Sequence, residues 1–186
     1  MAAEHGWLYE PIHERLTWGF RLKTSDWTFE ALSRSSGKET SPGSTDISMS
    51  TTWQAPRTGR TVLIGALQSN VNLGNMGAIL TQQVLHLALG SQADGLTEIQ
   101  PILGINSQAA LRQKYMLWAQ EVSDCEKLLS PTVESALLNW KGKEPLVKLT
   151  SSGLSIQIQG EHVKKPEKII AIIQLGEALL AALSTR

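Results

Sequence analysis

Alternating apolar and polar residues near the start of the chain predict a β-hairpin. Two alternating runs, 18–22 and 27–31, flank a polar connection, and their apolar members are Trp18, Phe20, Leu22, Trp27, Phe29 and Ala31. Period-two spacing places these residues on one face of each strand, and a four-residue connection containing Ser and Asp suits a type I turn. A helix from Pro11 to Leu22 is the alternative, but Gly19 and the later alternation count against it. An isolated hairpin is marginally stable in water, so its aromatic face requires a partner.

Residues 33–60 predict a flexible linker. Ser, Thr, Gly and Pro dominate this segment, and such a composition buries too little apolar area to offset about 1 to 2 kcal/mol of backbone entropy per residue. The linker separates an N-terminal aromatic arm, residues 1–32, from a globular body, residues 61–186. A flexible coil of this length spans roughly 30 Å, enough to reach a neighbouring subunit.

The first half of the body predicts a buried strand followed by helices. Residues 61–67 form a continuous apolar run typical of a buried strand, and residues 76–89 have a helical pattern. The most regular helix signal is an apolar stripe with spacings of three and four, made of Leu111, Tyr115, Trp118, Val122, Cys125 and Leu129. Ser130 and Pro131 predict the N-cap and first residue of another short helix.

The second half of the body predicts a hairpin and a last helix. Residues 146–150 and 154–159 alternate around a Ser-Ser-Gly turn, which indicates a second β-hairpin. Pro166 begins a helix that runs to about Leu183. The predicted fold class is therefore α+β: a mainly helical body with a buried strand and a β-hairpin, and an N-terminal aromatic β-hairpin arm on a flexible linker.

The last helix is apolar on most of its circumference, with only a thin polar stripe. Such a helix is buried on most sides, so it is either the central core helix or an oligomer interface. The charge-free segment 61–93 also requires cover by core or by partner subunits. The residues expected to mediate self-association are Ile169, Ile170, Ile172, Ile173, Leu179, Leu180 and Leu183.

Composition excludes several classes of protein. The 186 residues include 17 Lys and Arg and 17 Asp and Glu, so the whole surface is not a basic field for nucleic acid or anionic lipid, and any such site is a local patch. The single Cys excludes an intramolecular disulfide and a zinc site with two Cys ligands. The chain shows neither a secretory signal pattern nor an uninterrupted apolar span of about 18 residues. We therefore expect a soluble intracellular protein, cytoplasmic in the simplest case, without membrane contact.

Motifs for enzymatic chemistry are absent from the sequence. It contains no phosphate-binding loop, dinucleotide fingerprint, zinc-protease motif, serine-hydrolase elbow or calcium loop, and the four His show no paired spacing. Cys125 and His86 are the one candidate nucleophile and base. Both lie in apolar helical patterns, where a buried Cys behaves as a small hydrophobe. We predict no enzymatic activity, no metal site and no cofactor.

Basic residues concentrate near the start of the last helix. The Lys residues are Lys141, Lys143, Lys148, Lys164, Lys165 and Lys168. Cations at a helix N-terminus oppose the helix dipole, and a bound phosphate would resolve that conflict. The alternative is that these side chains are solvated and that Glu167 compensates the dipole.

The aromatic arm also has basic neighbours. Arg15, Arg21, Lys23 and Arg34 lie near its aromatic residues, a combination that single-stranded nucleic acid binders use for stacking and phosphate contact. Nearby acidic residues favour the alternative, in which the aromatic residues dock on protein. The residues expected to contact a partner are Trp18, Phe20, Trp27, Phe29 and Trp53.

These patterns support three functions in order. The first is a non-enzymatic interaction or assembly protein, a homo-oligomer formed through the last helix, whose arm contacts a neighbouring subunit or another protein. The second is a nucleic-acid-binding protein of the coat or accessory type, viral in the simplest case, that uses the Lys patch to bind RNA or DNA. The third is a small enzyme with an unrecognised site.

Overall fold

A computed structural model describes residues 2–41, 44–66, 96–98, 110–111 and 113–184. Its strands are β1 (Leu8–Glu14), β2 (Thr17–Lys23), β3 (Thr28–Ser41), β4 (Ser44–Ala55), β5 (Val62–Ala66), β6 (Thr97–Glu98), β7 (Tyr115–Ala119), β8 (Leu146–Thr150) and β9 (Gly153–Gln159). Its helices are α1 (Val122–Leu128), α2 (Pro131–Leu138) and α3 (Pro166–Ser184), and a 3-10 turn spans Ala3–His5. Within these ranges the strands form one antiparallel sheet in the order β1-β2-β3-β4-β9-β8-β5-β7-β6.

The sheet contradicts the prediction of a mainly helical body. The described part of the chain is built on one antiparallel sheet, with three helices packed on it. The hairpin of β8 and β9 inserts between β4 and β5, so strands from both halves of the chain pair with each other. The N-terminal hairpin is part of this sheet and not a separate arm.

The flexible linker prediction is also wrong, because residues 33–60 contribute most of β3 and β4. Their register pairs Phe29 with Trp53 and Ala31 with Thr51, and Trp53 in turn pairs with Ile156 of β9. Composition does not predict strand β4, because the polar residues Ser48, Ser50 and Thr52 alternate along it with core-facing positions such as Thr51 and Trp53. Thr51 is buried, and its hydroxyl donates to the Glu161 carbonyl and accepts from the Val163 N–H.

The helix predicted from the stripe between Leu111 and Leu129 is wrong in its first half. Residues Tyr115–Ala119 form β7, and a helix begins only at Val122. Both faces of β7 are buried, with Leu117 on one side and Trp118 on the other. A strand buried on both sides has no alternation, so its apolar run also fits a helical spacing.

Several local predictions are confirmed. The hairpin of β2 and β3 forms where predicted, with its connection at residues 24–27, one residue later than expected, and β5 and the hairpin of β8 and β9 lie where predicted. Ser130 caps α2 by accepting from the Val133 N–H, and Pro131 is the first helical residue. The last helix spans Pro166–Ser184. The helix predicted for residues 76–89 lies outside the described residues.

The core lies between the sheet and α3. An apolar row crosses eight strands in register and consists of Tyr9, Leu22, Phe29, Trp53, Ile156, Val147, Ile64 and Leu117. At its centre the helix backbone approaches closely, because a Cβ on Gly176 would lie 2.3 Å from an indole carbon of Trp53. Trp53 is fully buried. At this point the backbone of α3 therefore packs directly against the side chain of Trp53.

Candidate partner-binding surface

The helices of the described ranges cover only part of the core face of the sheet. Nine strands spaced by about 4.8 Å span roughly 38 Å, whereas three helices of about 10 Å diameter cover roughly 30 Å. The principal helix contacts place α3 over β4 and β9, and α1 over β7 and beside α3. The strip that no helix in the described part of the chain covers therefore falls at the N-terminal strands β1 and β2 and the adjoining ends of β3 and β4.

Four large apolar side chains are exposed on this strip. Tyr9 is 54% exposed, Trp18 38%, Ile47 50% and Met49 44%. Cross-strand pairs put them on the core face, because Trp18 pairs with Ser33 and Ser33 with Met49, and paired residues project from the same side of a sheet. We call these four residues the open face.

The open face is continuous with the core. The ring of Tyr9 stacks on Phe20 at 6.0 Å between centroids, and Phe20 stacks on Phe29 at 5.9 Å. Phe20 is half-buried and Phe29 fully buried. The exposed ring of Tyr9 therefore rests on a packed support, which fixes its position.

His162 borders the open face where the loop from β9 enters α3. Its Nδ1 lies 2.7 Å from the Ser33 hydroxyl, and its ring lies 6.2 Å from that of Phe20. Burial, and next the positive charge of Lys164, lower the pKa of His162 below the ordinary value of 6.5. The folded protein therefore favours the neutral imidazole. The loop that carries His162 borders one side of the open face.

The basic residues of the N-terminal strands project from the opposite face. Arg21 pairs with Glu10 and Glu30 on the neighbouring strands, with nitrogen to oxygen distances of 3.0 and 2.6 Å. These hydrogen bonds, that to Glu30 foremost, raise the pKa of Arg21. Lys23 lies on the same face of β2 as Arg21. Arg34 pairs with Thr17 and therefore lies on that same face in β3. The aromatic and basic residues that neighbour each other in sequence are therefore separated by the thickness of the sheet.

The structure divides the predicted partner-binding residues into two groups. Trp27, Phe29 and Trp53 are buried, and the indole of Trp27 lies 6.3 Å from that of Trp53. These three residues belong to the core and cannot anchor a partner. Trp18 reaches the surface, and Phe20 supports the exposed Tyr9.

The residues predicted for self-association lie in the core of a single chain. Ile169, Ile172, Ile173 and Leu179 are at most 3% exposed, and Ile170, Leu180 and Leu183 are partly buried. They pack against the sheet and the other helices, so the core alternative for this helix accounts for its apolar circumference.

The six predicted anion-binding lysines also fall into two groups. Lys168 forms an ion pair with Glu161 at 2.6 Å, and its Nζ would lie 3.5 Å from a Cβ on Gly142. The Nζ of Lys143 lies 3.0 Å from the equivalent position on Gly160. Five of the six lysines lie near the start of α3: Lys141, Lys143, Lys164, Lys165 and Lys168. Lys148 projects from the solvent face of β8, where burial lowers its pKa.

Only one member of the candidate nucleophile and base pair lies within the described residues. Cys125 is buried in α1 against the core, and His86 lies outside the described residues. No group of three His, Cys, Asp or Glu residues suited to a metal ion occurs in the described ranges. None of the helices in the described part of the chain is both long enough and apolar enough to span a bilayer.

Sequence reasoning missed Tyr9, Ile47 and Met49. Tyr9, Pro11 and His13 occupy every second position before the predicted hairpin. This is a weak strand signal, because Pro11 interrupts it. Ile47 and Met49 alternate with Ser48 within the segment taken for a linker.

Comparison with protein-family models, curated proteins and solved structures finds no significant match to this chain.

Proposed function

We propose that this protein is a non-enzymatic interaction protein that holds a protein partner on its open face. The observation that carries the proposal is the group of four exposed apolar side chains, one of which, Tyr9, stacks on a ring that is anchored in the core. If each side chain offers about 200 Å² and is half exposed, the patch is roughly 400 Å². That size is within the range of the largest, often functional, patches on monomeric proteins, about 300 to 600 Å².

The chemistry of the open face favours protein over single-stranded nucleic acid. Nucleic-acid platforms combine stacking rings with cations that follow the phosphates. Arg21, Lys23 and Arg34 are on the other face of the sheet, and Arg21 is already held by two carboxylates. Aliphatic residues such as Met49 instead suit the apolar centre of a protein interface.

The partner binds through side chains and not by adding a strand to the sheet. The edge strand β1 contains Pro11 at its centre, and Pro removes one of the main-chain donors that an added strand requires. A patch of this size is about half of the roughly 800 Å² per partner in a standard interface. A short segment or a transient complex fits it best.

Site-specific photo-crosslinking tests the proposal. A photoreactive amino acid at Met49 is compared with the same residue at Ser48, the adjacent position on the opposite face of β4. In extract of the source organism, we expect one discrete adduct from Met49 that Trp18→Ser removes and that Ser48 does not give. Mass spectrometry identifies the adduct, and a doubled chain mass would make the partner a second copy. Equal adducts from Met49 and Ser48, or none, would refute the open face as the site.

Nucleic-acid binding is the second candidate, and one observation favours it: five of the six predicted lysines lie around the start of α3. This function predicts that affinity for RNA or DNA falls steeply with salt, with a slope that counts phosphate contacts. Replacing Lys143, Lys164 and Lys165 by Gln lowers that slope, whereas Lys148→Gln, on the distant sheet face, leaves it unchanged. An equal effect of both replacements would reject this cluster.

A further inference from the structure

A groove separates α2 from α3 on the side away from the sheet. Its volume is about 930 Å³, and its apolar lining consists of Pro131, Ala136, Trp140, Ala171, Leu175 and Ala178. Three of these residues are alanines, and their short side chains leave the space between the two helices open. The indole N–H of Trp140 donates to the Lys143 carbonyl at 2.9 Å, which fixes the ring at one end of the groove.

That end of the groove is positively charged. Lys141 and Lys168 line it together with Glu167. The amine of Lys168 is held by Glu161, whereas Lys141 has no ion pair with any described residue. Lys143 and Lys165 lie close by in the adjoining loops. In the lining, Lys141 and Lys168 therefore oppose Glu167, and the groove is mainly apolar along its length and cationic at one end.

We propose that this groove binds a small amphiphilic anion, with an unbranched apolar body along the helices and a carboxylate against Lys141. Ligand sites have volumes of about 300 to 1,000 Å³, which includes this one. The eight residues of α2 extend for about 12 Å, the length of a medium acyl chain. Two helical turns offer too short a contact for a partner helix, since a standard protein interface needs about 800 Å² per partner.

Titration with decanoate, kept below its critical micelle concentration, tests the proposal by calorimetry and by amide chemical shifts. We expect saturable one-to-one binding, with the largest shifts at Ala171 and Ala178. Decyltrimethylammonium has the same chain and the opposite charge, so it should bind at least tenfold more weakly. Equal affinities for the two amphiphiles would overturn the assignment of the charged end, and failure to saturate would overturn the site.

Two variants locate the ligand, each with a matched control. Ala171→Leu fills the groove and should weaken decanoate binding at least tenfold, whereas Glu177→Leu adds the same side chain to α3 outside the groove lining. Lys141→Gln should weaken binding about three- to tenfold, with Lys148→Gln as the control for loss of charge. Unchanged melting temperatures show that each variant is folded, and equal binding by variant and control would place decanoate elsewhere. Trp18→Ser should not change this binding, which separates the groove from the open face.

Discussion

The contact between Gly176 and Trp53 gives a direct test of how the sheet and α3 pack. In Gly176→Ala the new methyl would lie 2.3, 2.5 and 2.6 Å from three indole carbons, whereas carbon atoms pack best at about 3.5 to 4.0 Å. The indole has no free space to move into, because Trp53 is fully buried and Trp27 lies beside it. The variant must therefore displace the helix or distort the core.

The expected cost follows from two opposing terms. Overpacking a well-filled core costs about 1 to 3 kcal/mol, and an overlap of about 1 Å with three ring atoms belongs at the upper end of that range. Alanine gains about 1 kcal/mol over glycine in helix propensity. We expect the free energy of unfolding of Gly176→Ala to fall by about 2 kcal/mol. For a chain of this size, that lowers the melting temperature by roughly 4 to 8 °C.

Urea denaturation followed by circular dichroism measures this effect, and a second background isolates its cause. In Trp53→Leu the ring is absent, so Gly176→Ala should stabilise by about 1 kcal/mol through helix propensity alone. Gln174→Ala, an exposed change on the same helix, controls for propensity. A neutral or stabilising Gly176→Ala in the natural chain, or the same loss in both backgrounds, would refute this packing.

Three further predictions test local features. Removing the N-cap hydroxyl in Ser130→Ala leaves the Val133 N–H without its acceptor and should lower the free energy of unfolding by about 1 kcal/mol in urea denaturation; no change would refute the cap. Because the pKa of folded His162 is lowered, its contribution to stability is complete above pH 6.5 and is lost as the pH falls through the folded pKa. Its NMR titration midpoint should lie below 6.5 and rise in Lys164→Gln, and a midpoint unaffected by that change would contradict the proximity of the two residues. A fragment of residues 61–186 lacks β4 and Trp53, so it should give no cooperative thermal transition, and a sharp transition would show that these residues fold alone.

Local signals determined which elements the sequence could predict. The hairpin of β8 and β9 shows clear alternation around a Gly turn, and α2 begins with a side-chain cap followed by Pro, so both were found within a residue or two. These features depend on neighbours in sequence. The open face was only partly predictable, because exposure of Trp18 depends on where the helices end over the sheet.

Strands β3 and β4 were missed because tertiary contacts outweigh their composition. The inward positions of β4 include Thr51 beside Trp53, and Thr51 is acceptable in the core only because Glu161 and Val163 satisfy its hydroxyl. Those partners are more than a hundred residues away in the chain. A hydropathy pattern cannot register such a partner, so a polar residue at an inward position conceals the alternation.

The misassigned linker also explains why the last helix was interpreted as a subunit interface. A body with a single buried strand and one hairpin has too little sheet surface to cover a helix that is apolar on most sides. Such a helix then requires a second chain to cover it. With β3 and β4 included, the core face of the sheet reaches α3 through Phe29, Trp53 and Ile156, while α1 and α2 cover part of the rest of the helix. The number of strands therefore decides whether the apolar surface of α3 is satisfied within one chain, and the same count leaves β1 and β2 without any of the three described helices above them. The apolar side chains that no described element covers are consequently those of the open face at the start of the chain and not those of the last helix.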